Sequence, residues 1–318
     1  MNNVIDIIKK NDNFVVLTHT NPDGDAIGSS LGMYHILKKL NKNVDVIIND
    51  VPKKFSYLNG YNDIKNSTNK NYDYAIIVDT ATKERINTED VLNNVNNIVN
   101  IDHHISNKKY GDINYIEDYP ACAEIIYNIF KELNIELDKN IGEALANGII
   151  TDTGGLSHAD VTNFTYKTIY ELSNYINMPK IYKNTLYTVT KAEFELKKIA
   201  INNLSFYKDN KIAYSFVIKD DIIKSGGTEY DAGALVNLAR EIEGVYVSIF
   251  TKFLDNKVRI SLRSNNIDVN KIATLFNGGG HILASGIEIN NVNEYETIFK
   301  EVIKELGNSI DEWDNCSK

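Results

Sequence analysis

Short apolar runs alternate with helical periodicity through the first half of the chain. The segments 14–17, 44–48, 74–78 and 98–101 are compact and rich in Val and Ile, the pattern of buried strands. Between and after them, 26–40, 122–133, 141–150 and 164–175 carry apolar residues at helical spacing. Strands and helices alternating in this way predict a parallel sheet covered by helices on both faces. From 178 to 206 the pattern is helical but highly polar, and Lys191 to Ala200 has the rhythm of an amphipathic connector. A second block follows. It has strand-like runs at 211–218, 245–253 and 258–262, and helical patterns at 232–241, 269–276 and 293–306. This predicts a smaller α/β domain, with the boundary near 185–208 and a loose tail over 309–318.

Length agrees with this division, since 318 residues fit two domains. A hydrophobic content of 43% is enough for ordinary cores. The formal net charge of −9 argues against a binder of long DNA or RNA, which needs a basic surface. A local basic pocket for a small anion remains compatible with it. The two cysteines, Cys122 and Cys316, have no metal-type spacing, and a reduced, cytoplasmic setting is expected. The first residues lack the basic-then-apolar pattern of a leader, and no run approaches a membrane span, so no membrane partner is expected.

Candidate chemistry gathers where strands and helices end. His19, Asp23 and Asp25 lie in Thr18-His19-Thr20-Asn21-Pro22-Asp23-Gly24-Asp25, directly after the first strand-like run. In α/β proteins that position is where chemistry is placed. Pro22 and Gly24 bend the loop so that the two carboxylates can converge. Asp79 closes 74–78, Asp102-His103-His104 closes 98–101, and Asp152 follows the helical run 141–150. Five aspartates and three histidines at one sheet rim would repel one another and raise their pKa values without a cation. Mixed imidazole and carboxylate donors suit manganese, zinc or iron better than calcium. The donor count suits two ions, and a pair about 3.5–4 Å apart can activate a water and clamp a phosphoryl group.

These four motifs, in this order, resemble those of the DHH phosphoesterases. In the second block, Arg259-Ile260-Ser261-Leu262-Arg263-Ser264 and Gly278-Gly279-Gly280-His281-Ile282-Leu283-Ala284-Ser285-Gly286 resemble the DHHA1 domain. The similarity covers nearly the whole chain. Its two-domain layout is that of the stand-alone bacterial nanoRNases, bifunctional oligoribonuclease/pAp phosphatases, and of their dinucleotide phosphodiesterase relatives. The resemblance implies a parallel-sheet DHH domain over 1–185, a helical connector over 186–208 and a smaller α/β DHHA1 domain over 209–318.

The resemblance also implies roles. His19, Asp23 and Asp79 would hold one Mn²⁺. Asp25, Asp79, His103 and Asp152 would hold a second, with Asp79 bridging. Asp102 would orient a histidine or touch metal itself, and His104 would meet the scissile phosphate. Arg263 offers a planar fork for phosphate and Ser264 a hydroxyl. Gly278, Gly279 and Gly280 would let backbone approach a ligand, with His281 beside it. Arg240 and His158 are left open between solvated and substrate-facing roles, and His35 reads as structural. The implied activity is Mn-dependent hydrolysis of short oligoribonucleotides, linear dinucleotides such as pApA or pGpG, and pAp, with a homodimer as the candidate assembly. The rival readings are a cyclic di-AMP phosphodiesterase, a pyrophosphatase-like hydrolase and a nucleotide-binding regulator without turnover.

Overall fold

The computed structural model describes residues 1–158 and 160–316, apart from the side chains of Ala234, His281 and Cys316. The chain divides into two compact units, Met1–Thr188 and Val189–Lys318.

The first unit opens with helix α1 (Asn2–Lys10), which buries Val4, Ile5, Ile7 and Ile8 along one face. Its sheet contains β1 (Asn13–Leu17), β2 (Asn43–Val46), β3 (Tyr72–Val78), β4 (Val95–Asp102) and β5 (Ile113–Ile116) in the order β2-β1-β3-β4-β5. Every pairing is parallel. Central strands of such a sheet are buried on both faces and therefore read as unbroken apolar runs, as Phe14 to Leu17 do. The four-residue edge strand β5 is half-buried throughout and carries no such signal. The helices that follow are α2 (Gly24–Lys39), α3 (Cys122–Leu133), α4 (Lys139–Asp152), α5 (Asn163–Ser173) and α6 (Met178–Tyr182).

One packing contact positions the chemistry. A Cβ on Gly28 of α2 would fall 2.6 Å from the Ala144 carbonyl and 2.7 Å from the Gly148 nitrogen of α4. The two helix backbones thus touch. Asn147 adds a 2.7 Å hydrogen bond from Nδ2 to the Gly24 carbonyl. The start of α2, with Asp25, is held against the end of α4, with Asp152.

The second unit runs α7 (Lys191–Asn202), β6 (Ser205–Tyr207), β7 (Ile212–Ile218), α8 (Lys219–Ser225), α9 (Glu229–Gly233), β8 (Val247–Phe253), β9 (Val258–Ser264), α10 (Val269–Leu275), β10 (Gly279–His281), β11 (Ala284–Ile289) and α11 (Tyr295–Cys316). Its sheet order is β10-β11-β9-β8-β7-β6. Strands β7 and β8 are parallel and the other neighbours antiparallel.

The helical connector expected over 186–208 contains α7 and packs into the second unit, and two other expectations change. Leu196 and Ala200 of α7 are buried with Val217, Ile222 and Phe250 in the second unit, and β6 joins its sheet. The helix expected over 232–241 is only α9 and a 3₁₀ turn, Ala234–Asn237. Gly233 falls within that run, and glycine weakens an α-helix. The tail expected to be loose continues α11 to Cys316. Ile310 is fully buried, and Asp311 and Asp314 pair with Lys208 and Lys211.

Candidate metal centre

The first motif is fixed at both ends. The Thr18 hydroxyl donates to the Val78 carbonyl at 2.9 Å, joining the ends of β1 and β3. Asn21 takes a left-handed φ of 55° and turns the chain. Asp23 then caps α2, with Oδ1 accepting from the backbone nitrogens of Asp25 and Ala26 at 3.0 and 3.1 Å. Its Oδ2 lies 4.0 Å from His19 Nε2. Asp25 is buried beneath the N-terminus of α3. It accepts from the Cys122 and Ala123 nitrogens at 2.6 and 3.0 Å and from the Ser29 hydroxyl at 3.0 Å. Helix-end N–H groups hold a carboxylate there. Asp79 follows β3 in a left-handed conformation, φ 54°, tolerated by Asp and typical of functional sites.

Around Asp79 the candidate ligands form three groups, each with donor atoms within 4.8 Å of one another. One is Asp79, Asp102, His103 and His104; the other two, His19, Asp23 and Asp79, and Asp25, His103 and Asp152, match the two ion sites expected from the sequence. Asp79 touches both of these two. Its Oδ2 is 3.5 Å from His19 Nε2, and its Oδ1 is 3.3 Å from His103 Nε2. His103 Nε2 is also 3.5 Å from Asp152 Oδ2.

This donor set fits metal ions. Donors about 2.1 Å from a shared ion stand roughly 3.0–3.5 Å apart at octahedral to tetrahedral angles. Three of the four histidine–carboxylate separations, at 3.3–3.5 Å, fall in that range, and His19–Asp23, at 4.0 Å, lies beyond it; all four exceed the usual length of a charged hydrogen bond. Asp79 Oδ1 is buried without a hydrogen-bond partner among the described residues. The Nδ1 atoms of His19 and His103 lie 2.8 and 2.9 Å from the carbonyls of Thr20 and Tyr119. A carbonyl only accepts, so Nδ1 carries the proton and Nε2 is left as the donor to metal.

Electrostatics without an ion show the same strain. Burial is the largest influence on Asp25 and, with Asp79 nearby, lifts its carboxyl to about 7. Burial and the carboxylates of Asp25 and Asp23 likewise push Asp152 well up. Burial opposes the charge on His19, but Asp79 and Asp23 outweigh it and raise the imidazole to about 9. His103 is also raised, with Asp79 overcoming burial. Burial works against the Asp79 charge too, yet His103 and His19 hold its carboxyl low.

Asp102 ends β4 fully buried and accepts from His104 Nδ1 at 2.7 Å. Its other oxygen accepts from Asn107 Nδ2 at 2.6 Å. Sequence reading passed over Asn100 and Asn107. The available signal was Asn100 itself, a polar residue in an apolar strand run and fully buried, which requires partners. His35 bonds the Asn59 carbonyl at 2.9 Å and is structural, as read. His158 is exposed and lies over Gly154, close after Asp152.

The second unit divides its candidates. Arg263 is partly buried on β9, with one N–H donated to the Leu262 carbonyl at 2.9 Å and no carboxylate partner among the described residues. Burial and the neighbouring Arg240 lower its pKa, so both arginines face one region. Ser264 corrects the sequence reading. It is fully buried, donates to the Tyr246 carbonyl at 3.0 Å, and accepts from the nitrogens of Asn266 and Ile267 at 3.1 and 2.7 Å. No hydrogen-bonding capacity remains for a phosphate. In the glycine triplet, a Cβ on Gly278 would fall 2.2 Å from the Gly286 carbonyl and one on Gly280 2.5 Å from the Ala284 carbonyl. Packing of the β10–β11 hairpin explains both. Gly279 alone faces open space. His281 pairs through its backbone with Ala284, and its side chain lies outside the described residues.

Residues 13–149 match the DHH family, N-terminal domain, and residues 209–308 match the DHHA1 domain. The bifunctional oligoribonuclease and PAP phosphatase NrnA of Mycoplasma genitalium is 30% identical over 314 residues, 95% of this chain and 96% of that protein. The chain belongs to the DHH/DHHA1 phosphoesterase family. NrnA of Bacillus subtilis is 29% identical over 298 residues, covering 92% of this chain and 94% of that one. Among solved structures, an exopolyphosphatase-related protein from Bacteroides fragilis superposes with a TM-score of 0.85 at 26% identity, covering 96% of both chains. As a DHH/DHHA1 protein the chain is an enzyme of the phosphoesterase class. No described helix is long and apolar enough to cross a membrane.

Proposed function

We propose that this protein is a Mn²⁺-dependent phosphodiesterase that cleaves short oligoribonucleotides, including linear dinucleotides such as pApA and pGpG, to mononucleotides, and converts pAp to AMP and phosphate. The observation that carries the reading is Asp79, whose two oxygens face one histidine from each donor set. The NrnA relatives, named for oligoribonuclease and PAP phosphatase activity, support the substrate class.

His19, Asp23 and Asp79 would hold one ion, and Asp25, Asp79, His103 and Asp152 the other. Bound there, a metal pair supplies an acidified water and neutralises charge on phosphoryl oxygens. The remaining work belongs to side chains. Asp102 keeps the proton of His104 on Nδ1, which leaves Nε2 to meet the phosphate or the departing oxygen. Hydrolysis breaks a P–O bond, water supplies the new oxygen, and the leaving alkoxide takes up a proton. Arg263, without a carboxylate partner among the described residues, would bind a phosphate of the substrate, and Gly279 would admit it against backbone. Substrates of about two to five nucleotides suit a protein with a formal net charge of −9.

The test is a parallel assay of the Mn²⁺-loaded protein on pAp, pApA, pGpG, cyclic di-AMP, a five-nucleotide RNA, a 24-nucleotide RNA and pyrophosphate. Turnover of pAp and the short linear species, with little on the long RNA or pyrophosphate, is expected. Preference for pyrophosphate or cyclic di-AMP, or no turnover of any, would overturn the reading.

A further inference from the structure

We propose that Asn107 is a positioning residue for hydrolysis, fixing the Asp102 carboxylate and, through it, the imidazole of His104. The inference rests on the reading of His104 as the group that meets the phosphate.

Asp102 is fully buried, and among the described residues its side chain has one donor on each oxygen, His104 Nδ1 at 2.7 Å and Asn107 Nδ2 at 2.6 Å. A buried carboxylate so sparsely solvated cannot lose a donor cheaply. The Asn107 amide nitrogen also donates to Asn100 Oδ1 at 2.8 Å and lies 3.2 Å from the Thr80 carbonyl. Its oxygen accepts from the Lys109 nitrogen at 2.6 Å. This pattern fixes the amide orientation. Flipped, its oxygen would face the Asp102 carboxylate and the Asn100 oxygen, and Lys109 N–H would meet an NH₂ group. A turn residue needs only the acceptor, which Asp or Ser also supplies. The additional donors distinguish asparagine here.

The network joins two loops. Thr80 follows Asp79, and its carbonyl also receives Asn100 Nδ2 at 3.2 Å and the Tyr110 hydroxyl at 3.1 Å. The Asn107 backbone nitrogen donates to the His104 carbonyl at 3.0 Å. Asn107 therefore holds His104 at both its backbone and, through Asp102, its ring. The candidate metal ligands have other anchors. His19 rests on Thr20, His103 on Tyr119, and Asp25 on the start of α3. Loss of Asn107 should disturb His104 and spare those ligands.

The experiment compares wild type, Asn107→Ala, Asp102→Ala and the double variant as full-length Mn²⁺-loaded proteins on pApA. Asn107→Ala should keep its manganese content and a KM within about twofold, while kcat falls about 10–100-fold. In the Asp102→Ala background the same change should cost less than about twofold, because its route to His104 is already gone. Unchanged kcat, equal loss in both backgrounds, or loss of manganese would overturn the proposal. Should Asn107→Ala not fold, Asn107→Ser carries the same cycle. An independent readout is the histidine ¹H–¹⁵N spectrum of the Mg²⁺-loaded protein. The Nδ1–H signal of His104 should be present in wild type and lost or shifted in Asn107→Ala, as in Asp102→Ala. A signal unchanged by Asn107→Ala also overturns the proposal. If wild type turns over no short nucleotide, the proposed function fails, and this spectrum alone decides the role of Asn107.

Discussion

A Cβ placed on Gly148 would lie 2.5 Å from Asp25 Oδ1. The carboxylate at the start of α2 thus occupies the space that any larger residue on α4 would take. The same added methyl would stand 2.7 Å from the Ala123 Cβ. Gly148→Ala should therefore overpack this junction, cost about 1–3 kcal/mol of stability, and displace Asp25 from His103 and Asp152. Thermal unfolding and bound manganese per chain check this. Unchanged values of both would show that the junction has slack.

Asp79 and His104 should separate by metal content. Asp79→Ala removes the carboxylate shared by both donor sets and should lose manganese and turnover together. His104→Ala should lose turnover while keeping most of its manganese, because His104 is held by Asp102 and not placed among the proposed ligands. Equal metal loss in the two variants would show that His104 is assigned wrongly.

The metal-free protein should become less stable as pH rises through the neutral and mildly basic range. His19 titrates near 6.5 when unfolded and about 9 when folded. The folded state therefore holds an extra proton between those values, and stability falls with increasing pH across that window. His19→Gln should flatten the fall. Manganese must displace this proton, so its affinity should increase over the same window and proton release should accompany binding. Calorimetry in buffers of different ionisation enthalpy measures the release; none at pH 7.5 would contradict the raised imidazole.

Arg263 and Ser264 are neighbours with different expected phenotypes. Arg263→Ala should raise KM for pApA by about one to two orders of magnitude, the equivalent of losing roughly 1.5–3 kcal/mol of charge-assisted bonding. It should affect bis-p-nitrophenyl phosphate far less. Ser264→Ala removes a hydroxyl spent on Tyr246, Asn266 and Ile267. It should lower stability by about 1–3 kcal/mol without changing KM. Equal effects of Arg263→Ala on both substrates would remove the second unit from substrate binding.

The fold and the clustering of the candidate ligands were legible because their signals are local. These residues follow apolar strand or helix runs, and buried parallel strands leave such runs visible. Ser264 misled because a hydroxyl beside an arginine looks the same whether it faces a ligand or closes a turn; only its burial distinguishes them. Asn100 escaped because its partner Thr80 is brought to it by the pairing of β3 with β4, and Asn107 because its bond to Asp102, five residues earlier, depends on the course of an irregular loop. The end of α11 looked loose because the charges of Asp311 and Asp314 mask a helix whose partners, Lys208 and Lys211, lie about a hundred residues earlier.

The central claim is that hydrolysis depends on a metal centre built from His19, Asp23, Asp25, Asp79, His103 and Asp152. The most direct measurement is pApA hydrolysis by protein stripped of metal, verified by elemental analysis, before and after adding Mn²⁺ or Ca²⁺. Mn²⁺ should restore turnover and Ca²⁺ should not, because the imidazole donors suit a transition metal. Full turnover by the stripped protein in excess EDTA would contradict the account.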